Sequence, residues 1–335
     1  GRRPIEQDII RAQPGHVLAM PGDPFVERLV IGIGSVHECD APRGQRLDGG
    51  KNVARAQRDM LDALAAIVPE ILGDLAAHER DQLILTSKCF NPTSDDINDR
   101  GNNRRHIKRA VEASLKRLKT DRLDLLFLHQ WDPLTPIEES LRALEDLIRE
   151  GKVLYSGASN FAAWQLATSL GISARKGWAA FDVIQPMYSL VKRQAEVEIL
   201  PLAEAENLGV ITYSPVGGGL LSGKYGPGGQ RPESGRIQDN AMYNSRYSEA
   251  WVFETAGAFT ALAADRGHHP VSLAVAWVAG HRAVTCPIIG ARSVAQLQPS
   301  LAAVDIEMTA DLRQEIAALS RQPALATDRF EESQS

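Results

Sequence analysis

From Leu83 onward, short runs of β-branched and aliphatic residues alternate with amphipathic stretches, and this repeat constrains the fold more than any other feature of the chain. A strand-then-helix repeat sets parallel strands side by side under a covering of helices. The runs are LILTSK (Leu83 to Lys88), LDLLFLH (Leu123 to His129), VLYSGASN (Val153 to Asn160), VIQPMYSL (Val183 to Leu190), GVITYSP (Gly209 to Pro215) and VTCPIIG (Val284 to Gly290). Between the first two, Ile107, Val111, Leu115 and Leu118 fall on one helical face; after the second, Ile137, Leu141, Leu144, Leu147 and Ile148 repeat the pattern. That second stretch stops at REGKV, a basic residue followed by glycine, which ends a helix and leads into the next strand. Six runs with one or two from the N-terminal region make eight. A doubly wound sheet of that size carries a G-x-G-x-x-G turn, and none occurs, so the expected fold is a (β/α)8 TIM barrel. The G-x-G inside VIGIGSV (Val30 to Val36) reads as a strand end or tight turn, because no third glycine opens a helix.

A chain of 335 residues, 44% hydrophobic and 24% charged, suffices for one large α/β domain, so a single barrel is expected over residues 1–335. A formal net charge of −5 gives no electrostatic ground for nucleic acid or an anionic membrane as partner; small molecules are the expected ligands. Cys39, Cys89 and Cys286 lie far apart with no C-x-x-C or Cys/His spacing, which argues against a disulfide framework or a zinc site and for a reducing cytoplasm. No apolar stretch approaches the roughly 20 residues of a membrane span. The polar tract Gly226 to Arg246 reads as a loop long enough to be functional.

In such a barrel the catalytic groups gather at the C-terminal ends of the strands, where the following loops converge. Five successive runs here end in Lys88, His129, Ser159 with Asn160, Gln185, and Tyr213-Ser214-Pro215. One polar strand end reads as a satisfied structural residue; five together mark a site. These segments, with RRHIKRAVEASLKRLKTDR, SPVGGGLLSGKY and PIIGARSVAQL, resemble the aldo-keto reductase superfamily over about Pro69 to Ser320. The similarity runs to the long-loop bacterial branch, which also resembles potassium-channel β-subunits. Residues 1–68 match poorly, with degenerate barrel strands, and residues 321–335 form a C-terminal tail.

The resemblance implies a (β/α)8 barrel that binds NADP(H) in an extended pose at its C-terminal face and reduces small carbonyl substrates. It makes Lys88 the lysine that lowers the pKa of a catalytic tyrosine and His129 the histidine that hydrogen-bonds the substrate carbonyl. Such groups suit a carbonyl oxygen that gains negative charge as hydride arrives. Trp131, just beyond, either walls the substrate pocket or packs on the barrel rim. Ser159, Asn160 and Gln185 correspond to the groups that hold the nicotinamide carboxamide, and Tyr213 to the aromatic residue that stacks on the ring. The stretch Ser214, Pro215, Val216, Gly218 and Leu220, with Lys224, corresponds to the pyrophosphate cradle. Gly290 and Arg292 lead into a helix, so that Arg292 pairs with the 2′-phosphate and Gln296 faces the adenine. Ser300 stands where the family has Asn, which leaves one adenine contact open. Arg231 or Arg236 is a candidate to close over the cofactor.

The family's D-T-A-x-x-Y-G segment has no counterpart, since the chain contains no tyrosine before Tyr155. Two readings of Met60 to Gly73 stay open. Either Asp62 takes the catalytic aspartate position, with Ile67 where the tyrosine belongs, or Asp62 is a polar residue on an ordinary helix from about Val53 to Ala66. Three function classes follow: an NADPH-dependent reductase of aldehydes or ketones, a cofactor-binding regulatory protein with little chemistry, and an incomplete reductase from a disrupted reading frame. The first is preferred, because substrate-side and cofactor-side strand ends are retained together. The particular carbonyl and the oligomeric state are not readable from the sequence.

Overall fold

The computed structural model describes residues 29–32, 80–225, 235–291 and 294–327. Among the described residues seven parallel strands lie in chain order: β1 (Leu29–Gly32), β2 (Leu83–Cys89), β3 (Leu123–Leu128), β4 (Val153–Ser159), β5 (Val183–Gln185), β6 (Gly209–Thr212) and β7 (Cys286–Pro287). The helices among the described residues are α1 (Arg104–Leu118), α2 (Ile137–Arg149), α3 (Ala163–Lys176), α4 (Ile199–Ala205), α5 (Arg236–Asp239), α6 (Ala241–Arg246), α7 (Ala250–Asp265), α8 (Pro270–Ala279), α9 (Val294–Leu301) and α10 (Ala310–Ala318). Sequential parallel neighbours with helical crossovers are the order of a (β/α)8 barrel. Strand β1 has the sequence LVIG, and its Leu29 to Gly32 pair with Leu83 to Thr86.

Local chemistry sets the crossovers. Asn103 caps α1 by accepting the His106 amide at 2.9 Å, and Ile107, Val111, Leu115 and Leu118 are buried, as their spacing predicts. Each such side chain removed from water contributes about 1.5–3 kcal/mol. Helix α2 ends as REGKV implies: Gly151 donates to the Ile148 carbonyl at 3.0 Å and Lys152 to that of Leu147 at 3.0 Å, closing the last turn before β4.

Several expected runs are only partly strand. Pairing of β5 stops at Gln185, before Pro186, which has no N–H to donate; a single bridge between Met187 and Tyr213 follows. Only Cys286–Pro287 of the Val284 to Gly290 run is strand. The tract Gly226 to Arg246, read as a loop, carries helices α5 and α6 in its second half, α6 capped by Asn240, which accepts from Met242 and Tyr243.

Alternation along the strands divides the core. Leu126 and Leu128 pack with helix residues such as Ile107 and Leu141, whereas Leu125 and Phe127 join Val183, Ile211, Cys286 and Ile288 in a second cluster. Successive strand side chains point to opposite faces, so this second set lines the inside of the curled sheet.

Candidate active site

Register places the expected residues on that inner face. Lys88 pairs with Phe127, Phe127 with Gly157, and Gly157 with Val183, forming one layer. One layer higher, Ser159 pairs with Gln185, and His129 follows two residues after Phe127 on β3. Tyr213 follows two residues after the inward Ile211. Lys88, His129, Ser159, Gln185 and Tyr213 therefore share one parity, and Lys88 lies two register steps below His129.

Hydrogen bonds join most of this set. Tyr213 donates its phenol proton to Asn160 Oδ1 at 2.6 Å. The same amide donates through Nδ2 to the His129 carbonyl at 3.0 Å and to Ser159 Oγ at 3.2 Å. Ser159 Oγ in turn donates to the Gln185 carbonyl at 2.9 Å. Parity would turn Asn160 away from the inner face; its φ of 55° turns the side chain back across the strand ends. That left-handed conformation is one that Asn tolerates better than most residues. His129 is 8% exposed, and its amide donates to the Cys89 carbonyl at 3.0 Å.

Beyond Tyr213 the chain makes a tight glycine turn. Ser214, Gly217, Gly218 and Gly219 have φ of 60°, 57°, 66° and 103°. At Gly218 a Cβ would lie 2.9 Å from Tyr247 Cε2 and 3.0 Å from Tyr243 Cδ1, so only glycine lets the turn rest on these rings. Gly219 has nothing within 4 Å of such an atom, so the turn presents bare backbone to open space. Within the turn Gly217 donates to the Ser214 carbonyl at 2.9 Å, and Gly219 and Leu221 both donate to that of Val216, at 3.1 and 3.2 Å. Pro215 and Leu220 are buried, Val216 is half-buried, and Lys224 is exposed beyond the turn. Gly290 is exposed after β7, and Gln296 is exposed on α9. Ser300, on the same helix, is buried. Asp62, Ile67, Arg231 and Arg292 lie outside the described residues, as does the Arg236 side chain.

Two further residues lie near the site. The Trp131 ring lies 5.4 Å from that of Phe161 and 5.5 Å from that of Trp164, a rim cluster, with Phe161 continuing to Phe181 at 5.8 Å. Cys89, beside Lys88, is buried, and that burial pushes its thiol up to about 12. Among the described residues no group of three or more His, Cys, Asp or Glu could hold a metal ion.

Residues 64–321 match the model of the aldo/keto reductase family. The chain belongs to that family. It is 34% identical over 256 residues to the uncharacterized oxidoreductase YrpG of Bacillus subtilis (strain 168), covering 74% of this chain and 76% of the relative. It is 33% identical over 231 residues to an Arabidopsis thaliana protein named probable voltage-gated potassium channel subunit beta, covering 68% and 70%. A mouse protein, aflatoxin B1 aldehyde reductase member 2, is 34% identical over 213 residues, covering 59% and 58%. Family membership makes this chain an oxidoreductase with the (β/α)8 barrel fold. Members of the aldo/keto reductase family generally use NAD(P)H and act on carbonyl compounds. No helix among the described residues is long and apolar enough to cross a membrane.

Proposed function

We propose that this protein reduces an aldehyde or ketone with NADPH, on the strand ends that Asn160 ties together. The observation that carries this reading is the single amide joining His129, expected at the substrate carbonyl, to Tyr213, expected beneath the nicotinamide. The residues present fit the cofactor: amide-rich strand ends, an aromatic ring and a glycine turn follow one another along the chain in the order of carboxamide, ring and diphosphate. The mouse relative's name, an aldehyde reductase, agrees with the substrate class.

The bound cofactor supplies hydride. Lys88 stands in the layer beneath His129, so a positive charge lies under a carbonyl oxygen held by the imidazole. Positive groups aimed at an oxygen that becomes negative lower the barrier most where water is excluded. The chain has no tyrosine before Tyr155, so His129 is assigned the proton donation to the alkoxide as well as the hydrogen bond to the carbonyl. Ser159, Asn160 and Gln185 fix the nicotinamide face through donors and acceptors on one rigid layer. In this reading Asp62 remains a candidate for a catalytic carboxylate.

Arg292 sets the preference for NADPH through charge-assisted hydrogen bonds to the 2′-phosphate, each about twice as strong as a neutral one. Fluorescence titration of NADPH and NADH tests this. The expected result is tighter NADPH binding that falls to the NADH level in Arg292→Ala; equal affinities in the parent protein remove the assignment.

A further inference from the structure

We propose that Asp132 is a positioning residue of this site: through Asn102 it fixes the backbone at Gln130, next to His129. The proposal rests on the reading of His129 given above and goes beyond it. Asp132 and Asn102 are 9% and 1% exposed. Asp132 Oδ2 accepts from the Asn102 amide at 2.8 Å and from Thr135 Oγ1 at 2.8 Å, and Oδ1 accepts from the Leu134 amide at 2.9 Å. Asn102 Nδ2 then donates to the Gln130 carbonyl at 2.8 Å, on the residue next to His129. Ser140 Oγ donates to the Asn102 carbonyl at 2.8 Å, so Asn102 is held on both sides of its peptide.

The clasp leaves no room for a side chain at Gly101. Its φ is 78°, and a Cβ there would stand 2.5 Å from Asp132 Oδ2. Burial alone would raise the Asp132 pKa, but the donors from Asn102, Leu134 and Thr135 outweigh it and hold the carboxyl below its usual range. An ionised acceptor makes these bonds stronger than neutral ones. The result couples the loop after β2, which follows Lys88, to the loop after β3, which follows His129. Of the three backbone anchors around the imidazole, the His129 amide rests on Cys89 and the His129 carbonyl on Asn160. The third, at Gln130, rests on Asn102 and so on Asp132.

A clasp that only closes two loops would change stability and leave the imidazole where it is. Ring C–H signals of 13C-histidine-labelled protein separate the two roles, with the His129 signal assigned by its loss in His129→Ala. In Asp132→Asn and in Asn102→Ala the His129 signal is expected to move while those of the remote His268 and His281 hold. Turnover should fall about fivefold to tenfold in Asn102→Ala, the worth of one hydrogen bond, and further in Asp132→Asn, with NADPH affinity unchanged. If Asp132→Asn fails to fold, Asn102→Ala decides, since it removes one side chain and leaves the carboxylate its donors. An unmoved His129 signal in folded Asn102→Ala overturns the proposal. A moved signal with unchanged turnover supports the positioning and instead removes the chemical role given to His129.

Discussion

Asn160 does what no neighbour of the same size could do without its carboxamide: one group accepts from a phenol and donates to a main-chain carbonyl and a hydroxyl. Its partner Tyr213 presents an aromatic ring at the strand end, half-buried and tethered by that bond. Replacing Tyr213 by Ala removes both the ring and the tether. Cofactor binding should weaken by about 1–3 kcal/mol, the range for losing aromatic packing and its exclusion of water. Titration of NADPH against the folded variant checks this, and an unchanged curve counts against ring stacking. Sequence reasoning reached Asn160 and Tyr213 as strand-end groups, but not the bond between them. They are 53 residues apart, and Asn160 meets Tyr213 only because its φ is 55°. The Asp132 clasp escaped for the same reason: its Asn102 partner is 30 residues away, and no local period announces it.

At the scale of elements, helix α10 is fastened to the barrel by a cluster around Tyr188. Arg313 donates to the Tyr188 hydroxyl at 2.8 Å and lies 4.5 Å from the Trp277 ring centroid, while Trp277 Nε1 donates to the Arg313 carbonyl at 3.1 Å. Tyr188 in turn donates to Glu196 at 2.6 Å, and its amide donates to the Tyr213 carbonyl at 3.2 Å, so the fastening reaches the cofactor side of the site. The His281 ring packs edge-on against Tyr188 at 5.6 Å. Burial, then the nearby Arg313 charge, holds its pKa below the ordinary 6.5; Glu196 and Glu204 oppose and Arg282 adds to the shift. The unfolded chain therefore takes up this proton first as pH falls through about 6.5. The contribution is complete above that pH and declines on acidification until the folded histidine also protonates. Urea unfolding at about pH 7.5 and about pH 5.5 should show lower stability at the acid end, with a smaller difference in His281→Gln. An equal pH dependence in both proteins would place the effect elsewhere.

On the scale of the whole molecule, the barrel was legible in two kinds of run. Short β-branched and aliphatic runs marked the strands, and the spacing of Ile107, Val111, Leu115 and Leu118 marked the first crossover helix; the inward parity came only with the strand register. What that pattern could not supply was strand length, since Pro186 ends the pairing of β5 at Gln185, nor the helices α5 and α6 in a tract whose composition reads as polar loop. The same inward parity concentrates Lys88, His129, Ser159, Gln185 and Tyr213 on one face, and the proposal of carbonyl reduction stands on that concentration. The most direct test is the steady-state oxidation of NADPH by 4-nitrobenzaldehyde, in the parent protein and in His129→Ala. With an imidazole as proton donor, turnover should be weak and should vanish in His129→Ala while NADPH binding persists. Robust turnover that survives the loss of His129 would contradict the account and assign proton donation to another group.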